Sequence, residues 1–151
     1  MKILIVLLLN FCLMFGFSAK VVKVSDGDTI SVLTEDKKQI RIRLYGIDAP
    51  ELKQSFGRAS KSFLSNKIAG KIVLINQNGK DRYSRILATV YLEDEDINAY
   101  MVDNGYAWAF EKYSKRYMPQ QSRAKFLKLG LWQQSDPITP WDFRKIKKSK
   151  E

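Results

Sequence analysis

Gln39-Ile40-Arg41-Ile42-Arg43-Leu44-Tyr45-Gly46-Ile47-Asp48-Ala49-Pro50-Glu51 is the stretch on which the reading of the fold turns. From Gln39 to Tyr45 apolar and polar residues alternate. Ile40, Ile42 and Leu44 fall on one face of an extended strand, and Arg41, Arg43 and Tyr45 on the other, because successive strand side chains point to opposite sides. The arginines therefore do not point into an apolar core. From Ser55 the period changes: Phe56, Ala59, Phe63, Leu64 and Ile68 recur at helical spacing and stop at Gly70, so a helix follows this strand.

Working outward, Val21, Val22 and Val24 predict a first strand that runs into the turn pair Asp26-Gly27, and Thr29 to Thr34 a second. Beyond the helix, Ile72 to Ile75 reads as a short buried strand, Asn78-Gly79 as a turn, and Ile86 to Leu92 as a strand closed by the acidic turn Glu93 to Asp96. A short helix is expected from Asn98 to Asn104, ending at Gly105, and a longer one from Ser122 to Leu129, ending at Gly130. This order predicts an α+β fold, a five-stranded OB-type Greek-key β-barrel with about three helices, whose loops commonly receive oligonucleotides or oligosaccharides. The chain shows no internal repeat and no interdomain linker.

Lys2 precedes an apolar run from Ile3 to Phe17, and small residues Ser18 and Ala19 follow before the chain turns polar at Lys20. That order predicts a signal peptide over residues 1–19, with cleavage after Ser18 or Ala19. Cleavage after Ser18 is favoured because it puts small residues, Gly16 and Ser18, where a signal peptidase reads. The alternative is an uncleaved anchor, for which the run is short against the ~20 apolar residues of a membrane span. Cys12, the only cysteine, lies inside the run, so a processed domain over residues 20–135 would hold no thiol and no disulfide. Residues 136–151 follow as a basic, flexible tail carrying Arg144, Lys145, Lys147, Lys148 and Lys150. The expected location is secreted, periplasmic or in the cell envelope.

The formal charge is +10, from 26 Lys and Arg against 16 Asp and Glu, which favours polyanionic partners. There is no histidine. That excludes imidazole-based nucleases, Ser-His hydrolases and histidine-ligated zinc, so any catalysis runs on carboxylates, arginines, tyrosines, lysines or a metal.

Three segments supply such groups: Asp26-Gly27-Asp28-Thr29, Arg43 to Glu51, and Asp81-Arg82-Tyr83-Ser84-Arg85. Read alone, the first is a hairpin turn with an Asx hydrogen bond and the second a helix-leading turn. Arginines in a basic chain are ordinarily solvated or ion-paired. Together they offer carboxylate oxygens for a hard cation, a carboxylate to handle a water proton, and planar donors for a phosphate. That is an inventory for cutting a phosphodiester. Tyr83 and Tyr113 could stack on a nucleotide or pack with their hydroxyls at a rim, and Trp108, Phe110 and Trp132 read as core or rim.

With these motifs in order, the span from Lys20 to Trp132 resembles the thermonucleases of the staphylococcal nuclease family. The resemblance rests on Val24-Ser25-Asp26-Gly27-Asp28-Thr29, Arg43-Leu44 through Asp48-Ala49-Pro50-Glu51, and Asp81-Arg82-Tyr83-Ser84-Arg85-Ile86-Leu87-Ala88. It implies a calcium-dependent enzyme with Asp28 and Asp48 as calcium ligands and the Ala49 carbonyl as a third. Glu51 would be the general base or water-orienting carboxylate, Arg43 and Arg85 the phosphate-holding and stabilising groups, and Tyr83 and Tyr113 substrate contacts. DNA and RNA are the implied substrates, cut to leave 3′-phosphate ends by a monomer with no stable membrane association after processing. The chain departs from the family pattern at Ala49, where the best-known member has threonine, at Ser84, where glycine is common, and in a short Leu52 to Gly57 loop. The competing expectations are a noncatalytic OB-type nucleic-acid binder and a basic module for wall polymer or membrane surface.

Overall fold

The computed structural model describes residues 16–149; most of the expected signal peptide, with Cys12, lies outside them. The chain runs β1 (Gly16–Val24), β2 (Thr29–Leu33), β3 (Gln39–Leu44), β4 (Ile47–Asp48), α1 (Gly57–Ile68), β5 (Ile72–Lys80), β6 (Ile86–Leu92), β7 (Glu95–Asp96), α2 (Ile97–Asp103), β8 (Trp108–Ala109), α3 (Met118–Phe126) and α4 (Pro140–Lys148). A 3-10 turn at Gly130–Gln133 precedes α4.

Five long strands neighbour one another in the order β3-β2-β1-β5-β6, and a parallel pairing of β3 with β6 through Ile42↔Ile86, Arg43↔Leu87 and Leu44↔Ala88 closes the barrel. Closure leaves the five strands no free edge in the ring. The alternation of β3 is realised: Ile42 and Leu44 are buried with Val21, Ile30, Val32, Ile75 and Val90, while Arg41 is exposed and Arg43 half-covered. Helix α1 sends Leu64 and Ile68 into the same core, and Phe63 stacks on Tyr100 and Tyr106 with ring centroids 4.9 and 4.0 Å apart.

Four differences from the sequence expectation have identifiable causes. Strand β1 starts at Gly16, because Gly16 to Lys20 pair with Asn76 to Ile72 of β5; a chain beginning at Ala19 keeps only the last two of those pairs. Strand β5 runs through Asn78-Gly79 instead of turning there. The Asn78 side-chain oxygen accepts the Thr89 N–H at 2.9 Å, so the asparagine bridges to β6, Gly79 absorbs a register shift, and the turn falls at Asp81 to Ser84. Helix α3 begins at Met118, four residues early, because Pro119 fits its first turn. Residues expected to form a flexible tail instead include α4. Thr139 caps it by accepting the Asp142 N–H at 3.2 Å, Pro140 opens it, and Trp141 stacks on Phe110 at 5.1 Å.

Candidate active site

The turns after β1 and β3 put their carboxylates side by side. A Cβ on Gly27 would lie 2.7 Å from the Cβ atoms of both Ala49 and Ser60, so only glycine lets the β1–β2 turn press against the β4 segment. Across that contact Asp28 Oδ2 accepts the Ala49 N–H at 2.7 Å, and Oδ1 accepts the Thr29 hydroxyl at 3.0 Å. The Asx bond is also present, from the Asp28 N–H to Asp26 Oδ1 at 3.0 Å. Turn formation and carboxylate placement are one arrangement. Asp48, on β4, is 1% exposed.

Arg43 ties the two aspartates together. Its Nη1 donates to the carbonyls of Leu44 at 2.8 Å and Ile47 at 2.9 Å, while Nη2 donates to Asp48 Oδ1 at 3.0 Å and lies 3.2 Å from Asp28 Oδ2. Three of the four Nη hydrogens are thus spent in hydrogen bonds, and the Nη2 end also forms an ion pair with Asp28. In this arrangement Arg43 holds the carboxylates and the β3–β4 turn in register, and most of its donors are spent on the protein itself.

Arg85 is held differently. Asp81 Oδ1 accepts the N–H groups of Tyr83 at 2.8 Å and Arg85 at 3.0 Å, and Oδ2 accepts Arg85 Nε at 2.7 Å. Burial raises the Asp81 pKa, but the hydrogen bonds from Arg85 and the turn outweigh it and hold the carboxyl below its ordinary range. With Nε so fixed, the Nη end lies along the cleft, with Nη1 3.4 Å from Thr29 Oγ1. The turn requires Ser84 at φ +61°, a left-handed conformation costing a non-glycine residue about 1–2 kcal/mol. Ser84→Gly should therefore raise stability by about 0.5–1 kcal/mol in urea unfolding. No gain would mean the serine carries no strain there.

Glu51 follows β4 in a loop shaped by a second close approach. A Cβ on Gly57 would fall 1.8 Å from the Glu51 carbonyl oxygen, so the start of α1 can lie against Glu51 only as glycine. Gln54 reinforces the loop, accepting the Glu51 N–H at 3.1 Å through its side chain and donating its own N–H to the Glu51 carbonyl at 2.8 Å.

Two site residues carry no role in the sequence reading. Asp26 lines the same cleft, and burial, followed by the adjacent charge of Asp28, pushes its pKa up to about 7. A carboxyl that keeps its proton longer in the folded than in the unfolded state contributes stability at low pH, and that stability is lost as pH rises from about 4 through about 7. Metal-free protein should thus melt lower at pH 7.5 than at pH 5, with the dependence flattened in Asp26→Asn. An equal slope in the variant would reject the assignment. The other residue is Arg144 of α4, whose guanidinium reaches Asp48 and Glu51. The signal was available in Thr139-Pro140-Trp141-Asp142, a helix start with its cap and first-turn proline.

All the expected site residues line one cleft of about 670 Å³. Tyr83 and Tyr113 are 63% and 56% exposed, and Lys80, Arg82 and Lys112 line the cleft with them. Tyr113 is anchored by its own carbonyl, which accepts the Tyr45 hydroxyl at 2.7 Å, and by edge contact with Phe110 at 4.9 Å. Rings and cations so arranged suit stacking bases and a phosphate backbone.

The donors fit a hard cation. Asp28 and Asp48 each place an oxygen within 3.2 Å of one Arg43 nitrogen, so the two carboxylates converge on one point, and Asp26 lies in the same cleft beside them. Among the described residues no three acidic side chains form a ready-made cage. The shell of six to eight oxygens that calcium takes would need carbonyl, water and substrate oxygens as well.

A family model described as Staphylococcal nuclease homologue matches residues 41–134. The chain is 43% identical over 148 residues to an uncharacterized endonuclease of Haemophilus influenzae, covering 97% of this chain and 83% of that one. It is 44% identical over 128 residues to an uncharacterized endonuclease of Escherichia coli, covering 83% of each. Micrococcal nuclease of Shigella flexneri is 34% identical over 158 residues, covering 96% of this chain and 90% of that one. The family match starts within β3 and ends before α4, so Asp28 and Arg144 lie outside it.

Proposed function

The chain belongs to the staphylococcal nuclease family and is a nuclease, and on that premise we propose an exported, calcium-dependent enzyme that hydrolyses phosphodiester bonds of DNA and RNA and leaves 3′-phosphate ends. The observation that carries the reading is the convergence of Asp28, Asp48, Glu51 and Arg85 on one cleft with exposed tyrosines and lysines.

Asp28 and Asp48, with the Ala49 carbonyl, are the groups that would hold calcium, which when bound supplies positive charge to a phosphate oxygen. Glu51 takes the proton of a water aimed at phosphorus. The new P–O bond forms as the bond to the 5′-oxygen breaks, that oxygen takes a proton from solvent, and the phosphate stays on the 3′ side. Arg85 donates in-plane N–H groups to the equatorial oxygens on which charge accumulates. The backbone is gripped by charge, which makes binding weakly sequence-selective and salt-dependent. A monomer is the proposed working form, supported by the fact that residues of a single chain line the whole cleft.

An assay of the processed protein on DNA and RNA, in calcium and then in chelator, tests the proposal. Both polymers should be cut to 3′-phosphate products in the calcium arm only. Cutting undiminished by chelator would reject the calcium assignment, and binding without cutting in calcium would favour the noncatalytic binder.

A further inference from the structure

Arg144 sits where the cation chemistry needs open oxygens. Its Nη2 donates to Asp48 Oδ2 at 2.7 Å, and its Nη1 to Glu51 Oε1 at 2.8 Å and to Asp48 Oδ1 at 3.3 Å. Since Asp48 Oδ1 also accepts from Arg43, both Asp48 oxygens are engaged by guanidinium groups, and one Glu51 oxygen is as well. Asp48 is almost fully buried whereas the Arg144 side chain is 42% exposed, so the arginine can leave and the aspartate cannot.

The contact is built by α4, not by a wandering side chain. Trp141 and Arg144 are three residues apart and so share a helix face. Trp141 is pinned flat against Phe110 at 5.1 Å and edge-on to Trp108 at 5.8 Å, and Thr139 caps the helix at its start. The anchored tryptophan aims the guanidinium one turn later at the carboxylates.

Resting on the reading that Asp28 and Asp48 hold the cation, we propose that Arg144 is the resident counter-charge of the metal-free site and competes with the divalent cation for Asp48 and Glu51. Helix α4 therefore sets the cation affinity of this nuclease. A divalent cation approaching the Asp48 oxygens meets the Arg144 guanidinium already bonded to both of them and is repelled by it, and the ion pair with Arg144 lowers the basicity of Glu51. Arg144 is a positioning residue: it keeps the carboxylates neutralised and in place until the cation displaces it.

Calcium calorimetry on the processed protein without nucleic acid tests this directly. Arg144→Gln keeps hydrogen-bonding capacity but removes the charge, and should bind calcium about 5- to 30-fold more tightly, tenfold being about 1.4 kcal/mol. Arg144→Lys keeps the charge and should stay near the unmutated affinity. Trp141→Ala, which unseats α4 and leaves Arg144 in the chain, should shift affinity in the same direction as Arg144→Gln. In chelator Arg144→Gln should melt below the unmutated protein, and in saturating calcium the gap should close. Equal or weaker calcium binding in both Arg144→Gln and Trp141→Ala would overturn the competition while leaving calcium binding intact. Tightening in Arg144→Lys as large as in Arg144→Gln would overturn the charge argument. No calcium binding in any of the proteins would instead overturn the cation assignment, and this inference with it.

Discussion

Glu51→Gln should lower kcat by about 10²–10⁴-fold, the range for removal of a general base, with nucleic-acid affinity at fixed salt changed little. The substitution keeps the shape of the side chain, the Gly57 contact beneath its carbonyl and the Gln54 bonds that hold the loop. It also leaves Arg43 and Arg85 where Asp48 and Asp81 place them. What is lost is the ability to take a proton, together with the charge that pairs with Arg144, so in saturating calcium the defect belongs in turnover. Affinity is free to rise slightly, because one negative charge disappears from a cleft that receives a polyanion. Single-turnover cleavage read beside equilibrium binding separates the two. Cutting at the unmutated rate would make Glu51 a helix-leading turn residue and remove the proposed base from the mechanism.

What the sequence disclosed, and what it hid, follows from the range over which each signal acts. The alternation of Ile40, Ile42 and Leu44 with Arg41 and Arg43 is local, and with the helical period from Phe56 it was enough to read β3 and α1. The β3–β6 closure through Arg43↔Leu87 joins residues far apart in the chain, and was reachable only through the order of the elements. Asn78-Gly79 misled because its side chain found a partner across the ladder in Thr89, overriding a strong turn preference. The segment holding α4 misled because its lysines were visible while its anchor, Phe110, lies some thirty positions away in the sequence. Arg144 was hidden from the site for the same reason, its partners Asp48 and Glu51 lying 96 and 93 positions away. Arg43 shows the limit most clearly: residue type and motif marked it as a phosphate ligand, but most of its Nη donors are committed to the protein itself, a fact no spacing could reveal.

That difference between the two arginines makes Arg85 the sharper test of transition-state stabilisation. Its Nε is fixed by Asp81 at 2.7 Å, which leaves the Nη end for substrate. Arg85→Ala should therefore cost about 10²–10³-fold in kcat, the scale for loss of one preorganised donor to developing charge. Arg85→Lys should recover little of it, since a point charge cannot reproduce a planar pair of donors held at a set angle. The Nε–Asp81 bond would also be lost, so the lysine has no comparable anchor to aim it. If Glu51 and Arg85 act on one water and phosphate unit, the double variant Glu51→Gln, Arg85→Ala should fall well short of the product of the two single losses. A full product would mean that the two residues contribute independently. Should Arg85→Ala weaken binding and leave kcat untouched, the residue is a ground-state phosphate tether, and transition-state stabilisation would have to come from the cation and from the remaining donors of Arg43.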